Sequence, residues 1–144
     1  MLYQQVEKRE NESFGGVVTA TGNCKFYGQV ATRKALEEWG QEDIDELATE
    51  TCECLDARIY AHKKGQKERT NERIDLLFGK DNKIVTVPDA AVELLHKAVY
   101  PICEGFIKSI AIDIGNGVKG KMTVTSKGNV KVERIKTNTS TYEA

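Results

Sequence analysis

The stretch SIAIDIGNGVKGKMTV, residues 109–124, carries glycines at 115, 117 and 120 after an apolar run, with Lys121 next. Glycines at this spacing let a backbone close on a pyrophosphate when a strand runs into a helix whose free N–H groups face the anion. The strand half is present, since Ile110, Ile112 and Ile114 alternate with Ala111 and Asp113. The helix half is not, because residues 121–125 read as a second strand. The glycines are therefore expected to punctuate a hairpin, with Asn116-Gly117 as a favoured turn dipeptide. No dinucleotide or other cofactor is expected.

Cysteines stand at 24, 52, 54 and 103, and histidines at 62 and 96. Cys52 and Cys54 fall inside an expected helix over 42–64, where residues two apart point about 200° from each other. On that helix they cannot share one ion, and their spacing is not the Cys-x-x-Cys of zinc sites. No metal site is expected, and the cysteines are read as small buried hydrophobes. His62 continues the apolar stripe of the same helix and is read as a packing or dipole residue. There is no Gly-x-Ser-x-Gly, no His-Glu-x-x-His and no pattern that suggests a catalytic triad. The acids Glu42, Asp43, Asp45, Glu46, Glu50, Glu53 and Asp56 include neighbours at i,i+4, but read as the solvated face of an amphipathic helix. An enzyme whose site is assembled from distant residues is the least favoured alternative.

Residues 110–124 also resemble the first phosphate loop of the actin-like ATPases, in which a strand ending Asp-x-Gly turns into a second strand. Asp113, Gly115 and Gly117 match that pattern. The resemblance covers about 15 residues. In that family the loop opens a large two-lobed fold with further phosphate and adenosine loops, which 110–144 is too short to supply. No residue role is carried over from it.

Charge gives the leading functional expectation. The net charge of −1 hides a split: residues 1–57 hold 5 basic and 12 acidic side chains, net −7, and residues 58–144 hold 16 and 10, net +6. Such asymmetry suits an anionic partner on one face, or two copies paired head to tail. The candidate anion or partner contacts are Lys63, Lys64, Lys67, Arg69 and Arg73 in the first basic run. Lys119, Lys121, Lys131 and Arg134 follow in the C-terminal strands. Aromatic residues, which single-strand readers use for stacking, are not interleaved there. The reading is a non-enzymatic binding protein acting by protein–protein contact, as a homo-oligomer. Nucleic-acid or nucleotide binding on the basic C-terminal half is the alternative. The polar N-terminus and the lack of a long apolar run point to a cytoplasmic protein without membrane contact.

The elements expected to position these residues make one α+β domain over 1–136 and a polar flexible tail over 137–144. Hydrophobic residues are 40% and charged residues 30% of the 144, a globular balance. A short strand is expected at 2–7, a charged turn at 8–13 and a β-branched strand at 17–21. A turn at Gly22-Asn23 then leads to a second strand at 25–27. Helices are expected at 32–39 and, more strongly, at 42–64, where acids crowd the first turn and basic residues the last. Residues 74–87 favour a hairpin, with a helix through Ile74, Leu77 and Phe78 as the alternative. Pro88 opens a second amphipathic helix that Pro101 ends or kinks. Residues 108–136 form a three-stranded meander turning at Ser126-Lys127-Gly128.

Overall fold

A computed structural model describes residues 1–12, 15–80 and 87–137. It shows an α+β fold whose chain divides into two compact units, Met1–Gly65 and Gln66–Ala144. Part of the expected strand at 83–87, and the expected tail beyond Thr137, lie outside the described residues. Among the described residues no helix is long and apolar enough to cross a membrane.

The N-terminal unit starts with helix α1 (Leu2–Glu12), where a strand and a charged turn were expected. The cause is remote in sequence. The buried carboxylate of Glu50 accepts hydrogen bonds from the backbone N–H of Leu2 at 2.9 Å and of Tyr3 at 3.4 Å. It thereby satisfies donors that a helix start leaves free. Strands β1 (Val17–Asn23) and β2 (Val30–Leu36) pair antiparallel from Val17 opposite Leu36 to Asn23 opposite Val30. β2 replaces the helix expected at 32–39: cross-strand pairing and the burial of Ala35 and Leu36 override a helical composition. Residues 25–27 form the connecting turn rather than a strand, and Gly22-Asn23 belong to β1.

The helix expected over 42–64 is two helices, α2 (Gln41–Thr51) and α3 (Leu55–Phe78). Thr49 and Thr51 turn their hydroxyls back onto the carbonyls of Asp45 and Leu47, at 2.8 and 2.9 Å. Such back-bonding weakens a helix end. Cys52 then adopts extended backbone, φ −72° and ψ 142°. α3 restarts with the carbonyl of Cys54 accepting from the N–H of Arg58 at 3.0 Å.

In the C-terminal unit α3 continues to Phe78, so the hairpin favoured at 74–78 is replaced by the alternative helix, with Ile74 and Phe78 buried. Helix α4 (Asp89–Cys103) is capped by Pro88 and ends two residues after Pro101. The meander is as expected: β3 (Ser109–Gly115), β4 (Val118–Val124) and β5 (Val130–Lys136), in that order and antiparallel. One sheet face turns Met122 into a core of Ile74, Phe78, Leu95, Ala98, Val99 and Ile102. Gly120 lies on that face because a Cβ there would meet the Phe78 ring at 3.2 Å and Leu95 at 3.3 Å.

Candidate binding surface

The glycine-rich stretch is a hairpin. Asn116 and Gly117 occupy its two-residue turn with φ of 54° and 76°, and β4 follows at once. Positive φ at both turn residues is the geometry that twisted hairpins select. Since no helix begins there, the loop lacks the dipole that a pyrophosphate cradle needs.

The site the basic residues do build lies beside β5. A groove of about 540 Å³ is walled by Gln66, Arg69, Thr70 and Arg73 of α3, by Thr125 and Asn129 in the β4–β5 connection and by Lys131 of β5. Its apolar lining is Leu76, Leu77, Val130 and Val132. Arg69 and Arg73 are four apart on one helix, so their side chains stand on the same face, and both are exposed. Neither forms a salt bridge to an acid among the described residues. Lys131 pairs with Glu133 at 3.0 Å, an exposed contact that solvent screens. Two contacts hold the walls together. The Gln66 amide donates to the carbonyl of Gly128 at 2.9 Å, and Arg134 donates to the carbonyl of Leu77 at 2.6 Å.

The other candidate cations have different duties. Arg134 faces the helices, where it fixes the C-terminal turn of α3 to β5. Lys67 binds Glu104 and lies 4.9 Å from the Tyr100 ring centroid. Lys64 lies in the N-terminal unit, 2.9 Å from both Glu46 and Glu50, and Lys63 is half-buried in the same unit. Lys119 stands opposite Asp113 in register, and Lys121 opposite Glu133, so the outer sheet face is mixed in charge rather than basic. Alternation along β5 puts Arg134 on the face of Val130 and Val132. Sequence alone does not show that cross-strand acids offset the lysines.

The described residues able to hold a metal are Cys24, Cys52 and Cys54, whose sulfurs lie within 4.8 Å of one another. The helix that ruled out their convergence is broken at this point: α2 ends at Thr51, Cys52 is extended and α3 begins at Leu55. His96 is no ligand in this cluster: its ring nitrogens lie 2.7 Å from Asn71 Oδ1 and 2.7 Å from Asp75 Oδ1, tying α4 to α3.

Comparison with protein-family models, with curated proteins and with solved structures finds no match to this chain.

Proposed function

We propose that this is a non-enzymatic binding protein that acts by protein–protein contact, taking an acidic, partly apolar segment of its partner into the α3–β5 groove. The observation that carries this reading is the placing of Arg69, Arg73 and Lys131 around Leu76, Leu77, Val130 and Val132. Guanidinium groups match carboxylates with paired hydrogen bonds, and a neighbouring apolar floor suits leucine or valine side chains between the acids. A second copy is one source of such a segment, through the acid-rich residues 1–57, and gives the homo-oligomer form of the reading.

Nucleic-acid or nucleotide binding is the second reading, favoured by the same two arginines. Among the described residues, those lining the groove include no aromatic side chain on which a base could stack. Fluorescence anisotropy separates the two. The probes are labelled peptides alternating Glu and Leu, and mixed single- and double-stranded oligonucleotides of equal charge. We expect salt-sensitive binding of the peptides, lost in the Arg69→Glu/Arg73→Glu double variant and retained in Lys121→Glu. Tighter binding of the oligonucleotides overturns the protein-contact reading in favour of the second. No binding of any probe by the folded chain at low salt rejects both.

A further inference from the structure

The N-terminal unit brings three cysteines to one point from two distant segments. Cys24 follows β1 and begins the turn into β2. Its carbonyl accepts from the N–H of Gly28 at 2.8 Å, and its own N–H donates to the carbonyl of Gln29 at 2.9 Å. Cys52 and Cys54 occupy the short link between α2 and α3, where Cys52 has extended backbone. The sulfurs of Cys24 and Cys54 are 3.8 Å apart. Zinc–thiolate bonds of about 2.3 Å at a tetrahedral angle set neighbouring sulfurs about 3.8 Å apart.

We propose that Cys24, Cys52 and Cys54 form a three-thiolate site for a thiophilic divalent metal ion, Zn²⁺ by preference, with the fourth position left to solvent. As three S–metal bonds form, the thiol protons pass to solvent.

The unit also has a structural need for such a link. Its buried apolar side chains among the described residues are Val6, Cys24, Ala35, Leu36, Leu47, Ala48 and Ala57, with no aromatic residue. Small units with modest cores gain most from a metal or covalent link. This ion would join the β1–β2 turn to the α2–α3 link.

The test uses the full chain, reduced, stripped of metal by chelator and titrated with Co²⁺ without oxygen. We expect sulfur-to-cobalt charge-transfer absorption that saturates at one equivalent, with the intense visible bands of a tetrahedral ion, abolished by adding Zn²⁺. Cys52→Ser, at a half-buried position, should weaken binding by about tenfold or more. Cys103→Ser should leave binding unchanged. Absence of charge transfer at saturating Co²⁺ in a chain that circular dichroism shows to be folded overturns the site. So does equal binding by Cys52→Ser and the unaltered chain. A Cys24–Cys54 disulfide in purified protein, with no metal uptake after reduction, assigns the cluster to redox chemistry instead and also overturns it.

Discussion

Glu46 shows how a single side chain is tuned by neighbours that sequence does not place beside it. Its carboxylate accepts from the Tyr60 hydroxyl at 2.6 Å and lies 2.9 Å from Lys64 and 3.0 Å from Lys25. Burial pushes its pKa up, but Tyr60, Lys64 and Lys25 together draw it down from the ordinary 4.5 to about 2. A depressed carboxyl pKa stabilises the fold above the unfolded value, and that stabilisation disappears as pH falls through the folded value. Urea midpoints are therefore expected to fall between about pH 4.5 and pH 2, with Glu46→Gln flattening the slope in that window. An unchanged slope in the variant would assign the acid sensitivity to other carboxyls. Gly120 is a second case. Its alanine variant presses a methyl group against Phe78 and Leu95, and overpacking of this kind costs about 1–3 kcal/mol. Urea denaturation should show that loss, whereas Gly115→Ala meets no atom within 4 Å and is strained only by its φ of 95°. The sequence marked Gly120 as part of a phosphate-loop pattern. What requires glycine there is the close approach of two helices to β4.

At the scale of elements, the sequence was legible where the stabilising partner is near in the chain and misleading where it is far. The meander could be read because period-two alternation and the turn residues Asn116-Gly117 and Ser126-Lys127-Gly128 lie within 28 residues. α4 could be read from its apolar stripe. α1 could not, because its N-terminal partner Glu50 is 48 residues away. The break between α2 and α3 was hidden by an apolar stripe that continues through it. The groove was half legible: Arg69 and Arg73 stood out as cations, but the strand that faces them did not. The dependence of α1 on Glu50 gives a direct expectation. Glu50→Ala removes the acceptor for Leu2 and Tyr3 and leaves Lys64 with Glu46 alone. Loss of a cap costs about 0.5–2 kcal/mol. Hydrogen exchange should show lost protection over residues 4–12, with the strands 109–136 unaffected. Retained protection at 4–12 would mean that α1 is held by its packing through Val6.

At the scale of the molecule, the charge split of the sequence is largely spent within each unit. At the observed boundary it becomes 8 basic against 12 acidic side chains over 1–65, net −4, and 13 against 10 over 66–144, net +3. Glu38, Glu46 and Glu50 already have cationic partners inside the N-terminal unit, which leaves less acid for a second copy to meet. The units differ more in what fills them. The N-terminal core is built around Leu36, Leu47, Val6 and three alanines, and the C-terminal core around Phe78, Ile74, Leu95, Ile102 and Met122. Since stabilisation by burial scales with the apolar area removed from water, the N-terminal unit should be the weaker. Trp39 is the one tryptophan in the chain and lies in that unit. In metal-free urea titrations its fluorescence should therefore change at a lower concentration than the far-ultraviolet dichroism, which reports helices and strands of both units. Added Zn²⁺ should move the fluorescence midpoint up toward the dichroism midpoint, because ligand bound only by the folded unit stabilises that unit alone. Coincident curves without metal would mean that the two units unfold as one cooperative body, and the difference in their cores would then have no thermodynamic expression.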